Sequence, residues 1–221
     1  MLRIGGSVVA SPIDPNLFAG YVQLLHDLKV LGNEVVVVVG GGKLARDFIG
    51  FARDLGLAEE SQDEVAISVS RLFAQLFAEK LGRFGCKAVP ITIEDAEKCL
   101  RRGKIVVMGG LKPGMTTDAV AAQVAEKVRA DLLVKATDQD GIYDKDPRKH
   151  ADAVKLDNIS FQDLSRVFSE EKHKAGIHQI IDPEAVKILM RGRIRVAVVN
   201  GFKPENVMMA VKGKNVGTLI S

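Results

Sequence analysis

Tryptophan is absent from this 221-residue chain, tyrosine occurs twice, and aromatic residues make up only 5% of it. A nucleic-acid-binding face more often combines exposed aromatics with a concentrated basic patch. Here 31 basic and 28 acidic residues leave a net charge of +3, and the basic ones are scattered. The densest basic run, Lys98 to Lys104, is interrupted by Cys99, Leu100 and Gly103, and reads as the solvated end of a helix. No nucleic-acid partner is expected. Cysteine is scarce too: Cys86 and Cys99 form no C-x-x-C pair, and the four histidines offer no ligand cluster. His173 and His178 lack the four-residue spacing that stacks two ligands on one helix face, so no metal-ligand set is expected. No apolar run approaches the ~20 residues that cross a bilayer. The first residues, Met1-Leu2-Arg3-Ile4-Gly5-Gly6, lack the apolar core of a secretory signal. The expectation is a cytoplasmic protein with no membrane partner.

What is present is a composition suited to a folded globule, 47% hydrophobic and 27% charged. A chain of this size buries roughly 70% of its unfolded surface, so no disulfide or metal staple is required. Against about 150 residues per domain, the length suits one large domain or two small ones. With no internal repeat or linker, the expectation is one domain over 1–221. Short, continuously apolar runs recur at Glu34–Val39, Ile105–Met108, Leu132–Val134 and Val196–Val199, as expected of strands covered on both faces. Helical spacing separates them, over Asn16–Leu31, Gly42–Leu55, Val65–Leu81, Thr117–Arg129 and Pro183–Arg191. Asp182 is placed to cap the last of these, with Pro183 at its first helical position. Strands alternating with helices predict an α/β fold, a three-layer αβα sandwich around a mostly parallel central sheet.

Glycine clusters follow the strands: Gly5-Gly6-Ser7, Gly40-Gly41-Gly42-Lys43, and Gly109-Gly110-Leu111-Lys112-Pro113-Gly114-Met115-Thr116-Thr117-Asp118. Any one of them is explained by a tight strand-to-helix turn. Three together, two carrying a lysine, point to backbone amides approaching an anion at the carboxyl ends of a sheet. The P-loop pattern is absent, because Gly42-Lys43 is followed by Leu44 and Gly213-Lys214 by Asn215. Protein-kinase motifs are absent as well. Gly40-x-Gly42-x-x-Ala45, with Glu59 and Glu60 further on, loosely fits a dinucleotide fingerprint. That reading leaves the third glycine loop and the segment 137–147 unexplained, but keeps a non-catalytic dinucleotide-binding module open.

The segment Thr137-Asp138-Gln139-Asp140-Gly141-Ile142-Tyr143-Asp144-Lys145-Asp146-Pro147 also follows a strand. Taken with the glycine loops in their order, and with Asp182-Pro183-Glu184-Ala185-Val186-Lys187, it resembles the amino-acid kinase family, and within it the UMP kinases of the archaeal type. The resemblance runs through essentially the whole chain. It implies an ATP-dependent phosphotransferase that makes UDP and ADP from ATP and UMP in pyrimidine nucleotide biosynthesis. Carbamate, acetylglutamate or isopentenyl phosphate remain possible acceptors within the same family. By the same resemblance Gly6 and Ser7 lie against the ATP phosphates, Gly41 touches UMP, and Gly42 and Arg46 touch ATP. Asp63 takes the UMP ribose or base, and the stretch Leu111, Lys112, Pro113, Gly114, Met115, Thr116, Thr117 wraps the UMP phosphate. Thr137, Asp138, Tyr143 and Asp146 hold the adenosine end, and Asp118 organises the catalytic cations. The family further implies Mg2+ accompanying ATP and a homohexamer built from dimers, with the 65–81 helix as a candidate dimer surface.

Many relatives carry a lysine where this chain has Arg3. Lys43 is expected to supply the ammonium, with Lys187 a second candidate. A UMP phosphate has a second pKa of about 6 and is mostly dianionic at neutral pH. No general base is needed, then, and none stands out among the loops. The obstacle is repulsion. Each pair of unit charges about 4 Å apart costs about 1 kcal/mol in water and about 4 kcal/mol at an effective dielectric of ~20. Lys43, Arg46, Arg3, Mg2+ and the amides of the first and third loops are expected to offset it. Thr116 and Thr117 sit at a helix start, with Thr117 the expected N-cap.

Overall fold

The computed structural model describes residues 1–10, 12–169 and 180–221; His173 and His178 lie outside them. The chain begins with strand β1 (Leu2–Ile4), a four-residue turn of helix α1 (Gly6–Val9) and helix α2 (Pro15–Val30). Strand β2 (Val36–Val39) leads into α3 (Gly42–Asp54), α4 (Glu59–Leu81) and α5 (Ile93–Arg101). Then come β3 (Val106–Met108), α6 (Thr117–Lys127), β4 (Leu132–Thr137) and the short strands β5 (Ile142–Tyr143), β6 (Lys155–Leu156) and β7 (Asn158–Ile159). Helices α7 (Phe161–Ser169) and α8 (Pro183–Arg191), strand β8 (Arg195–Asn200), helix α9 (Pro204–Val211) and strand β9 (Thr218–Ile220) complete it.

Seven strands form one sheet in the order β3-β2-β1-β4-β8-β9-β7, and β5 pairs with β6 apart from it. Neighbours run parallel except β8 and β9. The valine run of β2 shows why the strands are apolar throughout. Val36 and Val38 join the core built with Leu100, Val120, Val124 and Ile188 from α5, α6 and α8. Val37 and Val39 join the opposite core, with Leu25, Phe73, Phe77 and Val207 from α2, α4 and α9. Alternate side chains enter alternate layers, and both are buried. The three-layer αβα arrangement with a mostly parallel sheet follows directly.

Several boundaries differ from the sequence reading, for local reasons. Helix α4 starts six residues before Val65, with Glu59 and Glu60 in its first turn, where carboxylates favour the helix dipole. Its apolar stripe splits between two surroundings: Val69, Phe73 and Phe77 are in the core, while Leu72 and Leu76 are half exposed. Thr116, not Thr117, caps α6, its hydroxyl accepting from the Ala119 amide at 3.0 Å. Asp182 caps α8 as expected, accepting from the Glu184 amide at 2.6 Å. Lys98 and Arg101 occupy the last turn of α5, paired with Asp95 and Glu97. Cys86 and Cys99, thirteen residues apart, are joined as a disulfide with 6.2 Å between Cα atoms, tying the segment between α4 and α5 to α5 itself.

Phe73 is 2% exposed and lies where α4 meets the sheet. Phe73→Ala is expected to lower the unfolding free energy by about 3–5 kcal/mol, measured as a shift of the urea midpoint at unchanged slope.

Candidate functional site

Because β1, β2, β3 and β4 are parallel neighbours, their carboxyl ends share one edge of the sheet. All four sequence-identified loops leave from that edge. The first two touch backbone to backbone. A Cβ on Gly6 would come within 2.0 Å of the Gly42 nitrogen, so only glycine lets these loops meet. The Gly5 amide donates to the Ala136 carbonyl of β4 at 2.8 Å, and the Gly40 amide to the Ile4 carbonyl of β1 at 3.0 Å.

At the centre of this edge Asp118 joins three elements. It stands in the first turn of α6, with Arg3 Nε of β1 2.7 Å from its Oδ1 and the Lys135 ammonium of β4 on its Oδ2. Arg3 Nη2 also donates to the Thr117 hydroxyl at 2.9 Å. Burial by itself would raise the Asp118 carboxyl, but the Arg3 and Lys135 charges hold it below the ordinary aspartate range. Burial pulls the Lys135 ammonium down to about 8, against the opposing influence of Asp118. Two cations meet the Asp118 carboxylate here, and the Asp182 charge also acts on Lys135. Lys135 is absent from the sequence-derived set. The signal was a lysine continuing the apolar run Leu132-Leu133-Val134, only 4% exposed in the fold.

Beside this cluster lies a cavity of about 370 Å³, bounded by Gly41, Ala45, Asp63, Ala66, Ile67, Ser70, Gly110, Lys112, Gly114, Met115, Thr116 and Thr117. Its size suits a small-molecule ligand. Seven of these residues belong to the set that the sequence assigned to one ligand. Asp63 reaches the third glycine loop, accepting from the Gly114 amide at 2.7 Å. Leu111 packs against the core instead of facing the cavity, and Pro113 is not among the lining residues. A larger cavity, about 600 Å³, opens at the opposite edge around Met1, Asn33, Asp131 and Lys214, away from all four loops.

The remaining candidates sit around this centre. Ser7 lies within α1, next to Gly6. Lys43 and Arg46 are exposed in the first turns of α3, and Lys43 pairs with Asp47 at 2.6 Å. Thr137 ends β4, and its hydroxyl donates to Asp138 at 3.2 Å. Arg148 pairs with Asp138 at 2.7 Å, Asp146 accepts from the Arg148 amide at 3.0 Å, and Tyr143 stands in β5. Lys187 is exposed on α8. The N-cap of α8 does reach the site, Asp182 accepting from the Thr116 hydroxyl at 2.6 Å. Glu59 and Glu60, which the dinucleotide fingerprint required, are exposed at the start of α4.

The coupled charges make a pH prediction. Between about 8 and the ordinary lysine value, the unfolded chain holds a proton on Lys135 that the folded chain has released. Stability from this group therefore rises with pH across that window. Lys135→Met removes the effect, so the stability of the parent chain relative to this variant is expected to increase from pH 8 to pH 10, read from urea unfolding at each pH. An unchanged difference would refute the assignment.

Comparison with known proteins places the fold. The profile of the amino acid kinase family matches residues 2–200. The chain is 43% identical over 219 residues to the uridylate kinase of Methanocaldococcus jannaschii, covering 98% of this chain and 96% of that one. It is 41% identical over 222 residues to the uridylate kinase of Archaeoglobus fulgidus, covering 100% and 99%. The crystal structure of uridylate kinase from Archaeoglobus fulgidus superposes with a TM-score of 0.88 at 39% identity, over 100% of this chain and 99% of that one. On profile, length and fold alike, this chain belongs to the amino acid kinase family.

Proposed function

We propose that this chain is a UMP kinase, transferring the γ-phosphoryl group of ATP to UMP to give UDP and ADP, a step of pyrimidine nucleotide biosynthesis. The observation that carries the reading is the shared Thr117, which lines the 370 Å³ cavity and also accepts from Arg3 of the buried two-cation cluster. An acceptor phosphate seated in that cavity therefore lies next to fixed positive charge. Full-length likeness to uridylate kinases supports UMP as the acceptor.

In this reading the cavity is the UMP site. Gly41, Asp63 and the Leu111–Thr117 loop hold UMP. Gly6, Ser7, Gly42 and Arg46 hold the ATP phosphates, and Thr137, Asp138, Tyr143 and Asp146 the adenosine end. An oxygen of the UMP phosphate attacks the γ-phosphorus in line, and the bond to the β–γ bridging oxygen breaks. No proton has to be removed first, because the phosphate is already a dianion. Arg3 and Lys135, held by Asp118, draw the two anions together, with Lys43 and Arg46 at the rim and Lys187 a further cation from α8. Both Asp118 oxygens are committed to cations, and no group of three His, Cys, Asp or Glu side chains suited to a metal occurs among the described residues. Bound with ATP, Mg2+ would neutralise part of the phosphate charge.

Residues 1–221 are read as one domain, supported by the continuous seven-stranded sheet. No helix among the described residues is long and apolar enough to cross a membrane, which supports a cytoplasmic location. Half-exposed Leu72 and Leu76 on α4, with exposed Phe48, Phe51 and Leu55 on and just after α3, support self-association through these helices toward a homohexamer.

A coupled assay for ADP release, run with UMP, carbamate, acetylglutamate and isopentenyl phosphate, tests the reading. UMP is expected to be the preferred acceptor, and release with another acceptor alone would overturn it. Lys43→Ala and Arg46→Ala are each expected to lower turnover more than about tenfold with the fold intact by circular dichroism. Leu72→Glu is expected to reduce the mass seen by light scattering, since a charge would be buried in the interface.

A further inference from the structure

Helix α4 carries two adjacent side chains that the mechanism above does not use, and both grip the third glycine loop. Ser70 is 2% exposed; its hydroxyl accepts from the Gly110 amide at 2.8 Å and donates to the Ile67 carbonyl at 2.7 Å. Arg71 donates from Nε to the Gly110 carbonyl at 3.0 Å and from Nη2 to the Leu111 carbonyl at 2.9 Å. These two nitrogens form one edge of the guanidinium fork, so a planar pair of donors fixes two successive peptide planes.

A trans peptide points its C=O and N–H in opposite directions. Turning the Gly110 and Leu111 carbonyls onto Arg71 therefore turns the Leu111 and Lys112 amides away from it. Neither amide has a backbone acceptor among the described residues, and Gly110 and Lys112 both line the acceptor cavity. Consecutive amides facing one side make an anion-binding concavity. No carboxylate pairs with Arg71 among the described residues.

We infer that Arg71 is a positioning residue for the acceptor phosphate: by holding two carbonyls it presents the Leu111 and Lys112 amides to that phosphate. The inference rests on the UMP kinase reading and adds to it a residue outside the cavity wall. Without Arg71 the two carbonyls are free to rotate toward the cavity, where their partial negative charge opposes a dianion. ATP, held by other loops, should not sense the change.

Steady-state kinetics of the full chain test this, with UMP and ATP varied separately. Arg71→Ala is expected to raise KM for UMP by about tenfold or more, the loss of charge-assisted hydrogen bonds, while KM for ATP stays within about twofold. Millimolar guanidinium is expected to recover part of the UMP affinity in that variant and none in the parent. Arg71→Lys should resemble Arg71→Ala, because an ammonium lacks the planar fork; it also carries the test if the alanine variant does not fold. An unchanged KM for UMP, an equal rise for both nucleotides, or full recovery in Arg71→Lys would overturn the inference. A parent chain that does not phosphorylate UMP overturns the functional reading itself, before any variant is compared.

Discussion

The structure turns on a carboxylate buried between two cations, and in the reading proposed above this cluster offsets the repulsion of two phosphate groups brought together. Asp118 ties β1, β4 and α6 into one electrostatic unit through Arg3 and Lys135. A buried ammonium alone would tend to lose its proton, and a buried carboxylate alone to gain one. Together Asp118 and Lys135 remain charged near neutrality. The glycine loops around them meet backbone to backbone, where a side chain would keep them apart.

The same unit has a structural consequence. Removing one member of a buried charged cluster leaves the others uncompensated, which is far more damaging than the cluster is stabilising. Site and fold are thus coupled at the sheet edge: Arg3 and Lys135 sit opposite each other in the β1–β4 register, and strand pairing fixes the separation of the two cations. The third glycine loop is held from another direction, by Asp63, Ser70 and Arg71 of α4. Asp63, Ile67 and Ser70 recur at helical spacing and so face the loop together.

Much of the architecture was legible because burial on both faces of a sheet leaves a plain signature. The valine run of β2 and the runs of β3 and β8 announced themselves, as did the Asp182-Pro183 start of α8. Two-residue strands such as β5, β6 and β7 carry too few side chains to show a period. The run of β4 was read as ending at Val134, since a lysine ordinarily ends an apolar stretch. Here the strand continues to Thr137 because Asp118 waits to receive that lysine. The pairing of Cys86 with Cys99 was likewise invisible, because spacing says nothing of how α5 folds back toward β3.

Order along the chain determined the family resemblance, the glycine loops and the residue types at the carboxyl ends of the strands, since these depend on local turn chemistry and on which side chains are apolar. Only the tertiary structure decided which cations meet. Arg3, Asp118 and Lys135 are remote in sequence and become neighbours because parallel pairing brings β1 beside β4 and packs α6 on them. Arg71 acquires its partners the same way, across 39 and 40 residues. A charge's neighbours are set by distance in space, which the sequence encodes only through the fold.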